Sequence, residues 1–147
     1  QNYYSVYTST IHFGVQRKIN QQQHVFNTTH QYSRILDVAS NNANIIGKQL
    51  IYRPALQAVY TIEQELPIGT LMLRGYYTGL RHTLRDNART GELPAQAWLD
   101  LAYSLTSKRK RWQWLFRIEN ITGAQRQFYQ YYPMPGRTYL LNIKLNS

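Results

Sequence analysis

The chain has 147 residues, with 17 Lys and Arg against 7 Asp and Glu, a formal charge of +10, 14% aromatic residues and no cysteine. This composition excludes a collagen-like chain, a disulfide scaffold and a thiolate metal site. The apolar runs are too short for a membrane-spanning helix, and a basic, aromatic-rich chain fits either a nucleic acid or any other anionic surface.

Apolar residues recur at every second position, which predicts β-strands with one apolar and one polar face. The seven predicted strands lie, in chain order, near 7–16, 24–37, 56–63, 70–84, 99–106, 112–119 and 138–145. In the sixth strand the apolar face carries Trp112, Trp114 and Phe116, while Arg117 and Glu119 lie on the other face. No window of the sequence shows the period of an amphipathic helix.

The longest predicted strands have ten or more residues, whereas strands of soluble proteins usually have about five or six. A tilted membrane-spanning strand needs about 9–11 residues. The polar faces carry charges at Asp100, Arg117, Glu119 and Lys144, which a soluble sandwich core would not accommodate. The pattern therefore favours an all-β fold of antiparallel transmembrane barrel strands, with these charges facing the lumen.

The predicted connections alternate between short and long. The short ones are 18–23, 65–69 and 107–110, and the long ones are 38–53, 86–94 and 122–136. Because outer-membrane barrels have short periplasmic turns and longer extracellular loops, this alternation places Ser147 in the periplasm and Gln1 outside. Seven strands do not close alone in the usual even-numbered pattern, so residues 1–147 are expected to be part of a larger barrel.

Four short motifs occur in an order that resembles the carboxyl-terminal part of a TonB-dependent outer-membrane receptor. The matching segments are Gly47–Leu50 with Arg53-Pro54, Trp98–Leu101, Arg117–Gly123 and Tyr132–Tyr139. The resemblance covers about residues 45–147, whereas residues 1–44 fit only as further strands. One departure is the end of the chain, where Leu145-Asn146-Ser147 replaces the aromatic residue that family members usually carry.

The resemblance implies a barrel of about 22 strands closed by an amino-terminal plug, and no part of residues 1–147 is expected to correspond to that plug domain. Such receptors import a scarce ligand, such as a siderophore, cobalamin, glycan or peptide, with energy delivered by TonB. The expected partners are the rest of the barrel and plug, lipid and lipopolysaccharide, and indirectly the TonB system, in the outer membrane of a Gram-negative bacterium. No cofactor, metal, nucleic acid or enzymatic activity is expected.

Two sets of residues are candidates for contact with ligand or lipid. The candidate ligand contacts, in an outer loop or facing the lumen, are Arg126, Tyr129, Tyr131, Tyr132, Arg117 and Glu119. Exposed aromatic and Arg residues supply much binding energy, although Tyr residues also form the aromatic girdle at the membrane interface. The candidate lipid or interface contacts are Trp112, Trp114, Phe116 and Tyr139.

Four further interpretations concern basic residues and the overall function. The run Lys108–Arg111 is expected to be a solvated turn, and Lys48, Arg53, Arg85 and Arg89 are candidates for lipopolysaccharide phosphates. One alternative function is a structural barrel subunit of an outer-membrane complex that does not transport. Another is a soluble basic β-domain that binds nucleic acid, which predicts steeply salt-dependent binding.

Overall fold

The computed structural model describes residues 4–38, 43–107 and 112–145, which are mainly β-strand. The strands are β1 (Tyr4–Ile19), β2 (Gln22–Val38), β3 (Leu56–Leu66), β4 (Gly69–Thr78), β5 (Arg81–His82), β6 (Glu92–Leu93), β7 (Gln96–Thr106), β8 (Trp112–Glu119), β9 (Gln127–Tyr129), β10 (Tyr132–Pro133) and β11 (Thr138–Leu145). Two short 3-10 helices cover Ala43–Ile45 and Arg89–Gly91. In the described ranges no helix is long and apolar enough to cross a membrane.

The seven long strands form one antiparallel sheet in the order β1-β2-β3-β4-β7-β8-β11. Each long strand pairs with the next long strand along the chain, so the sheet is a simple meander. The prediction of an all-β fold with seven long antiparallel strands is confirmed. Within the described residues β1 and β11 each pair on one side only.

The predicted strand near 70–84 is wrong beyond Thr78, where β4 ends. The Gly79 N–H donates to the carbonyl of Leu56 at 2.8 Å, and this bond closes the end of the β3–β4 pair. The next residues, Arg81 and His82, form a separate two-stranded sheet with β6. Strands of only two residues, such as β5, are too short to show an alternation of apolar and polar side chains. The sequence pattern therefore did not separate β5 from β4.

The strand register places all the apolar stripes on one side of the sheet. One row of directly opposed residues crosses all seven strands at Arg17, His24, Ile62, Leu73, Leu101, Ile118 and Tyr139. Since side chains alternate, residues two positions away, such as Val15, Tyr60 and Phe116, lie on the same side, named the apolar face. The opposite side, which carries Arg74, Asp100 and Arg117, is named the polar face.

Nothing in the described residues covers the apolar face. Ile11 is 67% exposed, Phe13 56% and Leu141 57%, and the buried apolar residues are few. The accessible surface is 10607 Å², whereas a compact globular chain of 17.4 kDa has about 7,900 Å². The sheet is therefore a wall that exposes its apolar side, because a soluble domain needs a second layer over that side.

The two ends of the sheet differ as the sequence predicted. At the turn end, Asn20-Gln21 joins β1 to β2 and Pro67-Ile68 joins β3 to β4. The third predicted short connection, 107–110, lies outside the described residues except for Ser107, as does the basic run Lys108–Arg111. The described parts of the long connections between sheet strands, 43–55, 79–95 and 120–137, lie at the opposite end, named the loop end. The hairpins β5–β6 and β9–β10 lie within two of these loops.

Candidate functional site

The β9–β10 loop is attached to the wall by a side-chain amide at the start of β7. Gln96 Nε2 donates to the carbonyl of Gln127 at 3.1 Å, and Gln96 Oε1 accepts the Gln127 N–H at 3.2 Å. The side chain thus mimics a strand partner for β9. This pairing holds Phe128 and Tyr129 beside the polar face of β7.

A second amide joins two other loops. Asn87 Oδ1 accepts the Gln49 N–H at 2.7 Å, and Asn87 Nδ2 donates to the Gln49 carbonyl at 3.0 Å. In addition, the Tyr52 N–H donates to the carbonyl of His82 at 2.8 Å. These bonds place Tyr52 next to the β5–β6 hairpin, which carries Arg81.

Two of the motifs that carry the family resemblance bond to each other. Asp100 Oδ1 accepts the N–H of Asn120 at 2.8 Å. The Asn120 side chain, which is completely buried, donates to the Ala124 carbonyl at 2.9 Å and accepts the Ala124 N–H at 3.0 Å. Asn120 thereby fixes the turn that leads from β8 into the loop before β9. Asp100, predicted to face the lumen, lies on the polar face, where it supports this turn.

An aromatic cluster covers the polar face at the loop end. The rings of Tyr76 and Trp98, directly opposed on β4 and β7, stack with centroids 4.9 Å apart and planes 11° apart. Phe128 packs edge-on against Trp98 at 5.9 Å, and the Arg126 guanidinium lies 5.1 Å from the Trp98 ring centre. Trp98 is buried although it points to the polar side of the sheet.

The cluster borders two adjoining cavities of about 260 and 270 Å³. Both are lined by Gln57, Thr78 and Phe128, the first also by Tyr76 and Trp98. The second is completed by Tyr52, Arg81 and Tyr129, with the rings of Tyr52 and Tyr129 5.1 Å apart. The two cavities form one site, the aromatic cleft, whose defining residues are Tyr52, Tyr76, Arg81, Trp98, Phe128 and Tyr129.

Arg81 is the most unusual group in the aromatic cleft. Its side chain is 2% exposed and lies 5.8 Å from the Phe128 ring centre, yet Nε and Nη2 have no hydrogen-bond partner. Burial lowers the pKa of the Arg81 guanidinium, because desolvation disfavours the charged form. Arginine nevertheless stays protonated in proteins, so the cleft contains a buried positive charge whose Nε and Nη2 atoms have no hydrogen-bond partner among the described residues.

The candidate ligand contacts from the loop fall into two groups. Tyr129 lines the aromatic cleft and Arg126 stacks on Trp98, where its Nη2 donates to the Pro135 carbonyl at 3.0 Å. Tyr131 and Tyr132 lie at the tip of the β9–β10 hairpin, 83% and 73% exposed. The structure thus places Tyr129 in the cleft and Arg126 against its Trp98, and it leaves Tyr131 and Tyr132 exposed.

The remaining candidates lie on β8 and β11. Arg117 and Glu119 are on the polar face, with Arg117 Nη1 3.6 Å from Glu119 Oε1, and neither lines the aromatic cleft. The candidate lipid contacts lie on the apolar face, where Trp112 is 44% exposed, Phe116 43% and Tyr139 67%. Trp114 joins them, its ring 6.4 Å from that of Trp112.

Sequence reasoning missed Tyr52, Tyr76, Arg81 and Trp98 as members of a site. A signal existed for two of them, because Tyr76 and Trp98 are aromatic residues in the polar phase of their strands. Aromatic side chains on a polar face need another segment to pack over them, and here β9 packs over Trp98 through Phe128. Tyr52 and Arg81 gave no such signal, since irregular loops place them.

The histidines and the outer basic residues lie on several different elements. In the described residues no group of three or more His, Asp or Glu side chains is arranged to hold a metal ion. His82 lies 3.6 Å from Glu92, and His12 bonds to Thr29. Of the outer basic residues, Lys48 and Arg53 lie in the loop between β2 and β3, and Arg85 and Arg89 in the loop after β5.

Known structures share the fold of this chain. The siderophore receptor PiuA from Acinetobacter baumannii matches 95% of the chain with a TM-score of 0.79 at 14% identity. The ferric yersiniabactin uptake receptor FyuA from Yersinia pestis matches 95% with a TM-score of 0.69 at 15% identity. The ferric preacinetobactin receptor BauA from A. baumannii matches 97% with a TM-score of 0.64 at 19% identity.

The chain spans only 22% of PiuA, 22% of FyuA and 25% of BauA. No protein-family model and no curated protein sequence matches it. The likeness therefore lies in the fold, and it confirms that the sheet has the architecture of a segment of a receptor β-barrel. The resemblance noted in the sequence motifs is borne out at that level.

Proposed function

We propose that the chain is part of the β-barrel of a TonB-dependent transporter in the outer membrane of a Gram-negative bacterium. The remaining strands and the plug would complete the barrel. The exposed apolar face supports contact with lipid, and the likeness to three receptor barrels supports the transport role. In this arrangement the polar face lines the lumen and the loop end faces outward, because short turns are periplasmic.

The aromatic cleft is the proposed contribution of this chain to the ligand site. It lies at the loop end on the lumen side, where a ligand arriving from outside would first meet the wall. Trp98, Phe128 and Tyr129 offer ring faces and edges, and concave apolar sites with a few polar groups are typical ligand sites. Tyr131 and Tyr132 remain candidates for earlier contact, because they project from the hairpin tip.

The observation that carries this proposal is the unpartnered Arg81. A buried charge without compensation is destabilising, so a protein that retains one gains when an anion binds beside it. The ligand that suits this cleft is an anionic metal chelate with apolar or aromatic surface. A ferric siderophore complex has that chemistry. Arg81 would attract the anionic groups, and Arg126 on Trp98 would add a second positive charge.

Ligand binding to the assembled outer-membrane protein tests the cleft. Ferric siderophores of several classes are titrated while the fluorescence of Trp98 and the other tryptophans is followed. Arg81→Met is expected to weaken the binding of an anionic chelate at least tenfold, about 1.4 kcal/mol. Trp98→Phe, which retains a ring, should weaken it less than Trp98→Ala.

Arg117→Met is the matched control, because it removes the same charge from the polar face outside the cleft. Arg117→Met is expected to bind the anionic chelate with the affinity of the wild type. If Arg117→Met weakens binding as much as Arg81→Met does, the ligand site is not the aromatic cleft. Transport is tested separately by uptake of labelled ligand in cells with and without TonB. Binding without TonB-dependent uptake would favour the structural-subunit alternative.

A further inference from the structure

The two unpartnered nitrogens of Arg81 lie on the same edge of its guanidinium. Nε and Nη2 are both buried, and neither has a hydrogen-bond partner among the described residues. In arginine the N–H of Nε and one N–H of Nη2 point the same way from the planar group, so the two donors form a fork. A carboxylate binds such a fork through both oxygens, in two parallel hydrogen bonds. The free edge of Arg81 therefore has the geometry that a carboxylate requires.

Arg126, the other arginine of the aromatic cleft, does not offer a free fork. Its Nη2 donates to the carbonyl of Pro135 at 3.0 Å, so that only Nε is left without a partner on this edge. Its guanidinium also lies over the Trp98 ring, 5.1 Å from the ring centre. Arg126 thus adds positive charge to the cleft, whereas Arg81 offers two parallel donors.

The surroundings of Arg81 leave this edge available. The described residues that line the two cavities include neither Asp nor Glu. The guanidinium packs 5.8 Å from the Phe128 ring centre, and the side chain makes no hydrogen bond to a described residue. A turn of the side chain that brings Nε and Nη2 to the cavity therefore breaks no hydrogen bond. A carboxylate that meets them there compensates the buried charge.

The cavity beside Arg81 is large enough for one group of a ligand rather than for a whole ligand. Its volume is about 270 Å³, whereas sites that enclose a drug-sized molecule have about 300–1,000 Å³. Tyr52, Phe128 and Tyr129 line it, with the rings of Tyr52 and Tyr129 5.1 Å apart. Flat rings pack well against such aromatic walls. The fork and the walls together favour a carboxylate carried on an aromatic ring.

We propose that Arg81 binds an aromatic carboxylate group of the transported ligand. The two carboxylate oxygens accept the N–H groups of Nε and Nη2, and the attached ring packs against Tyr52, Phe128 and Tyr129. This inference rests on the proposed function, to which it adds the chemical group that the cleft recognises. A phosphonate fits less well, because its second negative charge would be buried without a second free fork.

Ligand-observed NMR with the assembled protein in detergent tests the carboxylate with three probes that share one ring. Benzoate carries the carboxylate, and benzamide is a neutral molecule of the same shape. Phenylphosphonate carries a third oxygen and, at about pH 8, a second negative charge. Benzoate should bind at least about tenfold more tightly than benzamide, and also more tightly than phenylphosphonate.

Arg81→Lys separates the geometry from the charge, because lysine keeps the positive charge but removes the fork. It should lower the affinity for benzoate about tenfold. Arg126→Lys should lower that affinity less, since no free fork is lost there. Arg117→Lys is the matched control on the polar face outside the cleft, and it should bind benzoate as the wild type does.

Any one of three results would overturn the proposal. They are benzoate binding that is absent or no tighter than that of benzamide, unchanged benzoate affinity in Arg81→Lys, and tighter binding of phenylphosphonate than of benzoate. The titration with ferric siderophores then shows which inference has failed. If a chelate still binds and Arg81→Met weakens it, the cleft is the ligand site and only the carboxylate is wrong. If no chelate binds, the proposed function itself fails.

Discussion

The loop end and the turn end of the sheet are organised by different physical means. At the loop end, the amide side chains of Asn87, Gln96 and Asn120 bond to the backbone of other segments or of the following turn. At the turn end, two-residue connections fix two of the strand pairs locally, and the ion pair there, between Lys18 and Glu65, is exposed. Single substitutions should therefore cost much more at the loop end, where side chains replace regular secondary structure.

The largest loss of stability is expected for Asn120→Ala. The substitution removes both bonds to Ala124 and the bond from Thr122 Oγ1, and it puts alanine at a φ of 52°. Unpaired buried groups and left-handed backbone together should lower the free energy of unfolding by about 3 kcal/mol. Urea unfolding of the assembled protein in liposomes measures this value.

Asn120→Gly separates the two causes, because glycine tolerates the positive φ but restores no hydrogen bond. It should recover about 1 kcal/mol of the loss. If both variants unfold at the wild-type urea concentration, the turn is not held by the Asn120 side chain.

Arg81→Met should change stability in the opposite direction. Methionine fills a similar volume without a buried, unpartnered charge, so unfolding should become about 2 kcal/mol less favourable. The lowered pKa of Arg81 means that its charged form opposes folding below that pKa, and the penalty is relieved only above it. Since arginine stays charged at all working pH values, the gain should be the same at pH 5 and pH 9.

Arg81→Met should also bind an anionic ligand more weakly, so its stability should rise while its affinity falls. Arg117→Met serves again as the control, because Arg117 is partly exposed and paired with Glu119. A loss of stability in Arg81→Met would show that the guanidinium is compensated within the protein, which would remove the main argument for an anionic ligand.

Gln96→Ala should have an intermediate effect. Two hydrogen bonds to Gln127 are lost, at about 1 kcal/mol each, but the groups are only half-buried, so a cost of about 1–2 kcal/mol is expected. Because the Gln96 side chain holds β9 beside Trp98, the amide hydrogen of Gln127 should exchange with solvent faster in Gln96→Ala than in the wild type. Gln96→Glu keeps the side-chain oxygen that accepts the Gln127 N–H, so it should slow hydrogen exchange at Gln127 in part. If exchange at Gln127 is unchanged in Gln96→Ala, the Gln96 side chain does not hold β9 in place.

The contrast between the two ends also explains what the sequence revealed. Alternation in segments such as 112–119 predicts the strands, their two faces and the lengths of the connections. It does so because apolar side chains must recur at every second residue of a strand that has one apolar face. The aromatic cleft depends on contacts distant in sequence, such as Gln96 with Gln127, which leave no period. Arg126 and Tyr129 were identified as Arg and Tyr residues of a predicted outer loop, whereas Arg81 was hidden in a segment that reads as a continuation of β4.

The smallest effect is expected at the turn end, from Lys18→Ala. The ammonium lies 3.2 Å from Glu65 Oε1, but both side chains are more than 60% exposed, at 62% and 64%. Water and salt screen such a pair, and ordering two long side chains offsets the attraction, so the loss should be at most about 0.5 kcal/mol. Glu65→Gln should give a similar value, and the double variant should lose no more than either one. A loss above about 1 kcal/mol that persists at high salt would show that the turn end, too, depends on a specific polar contact.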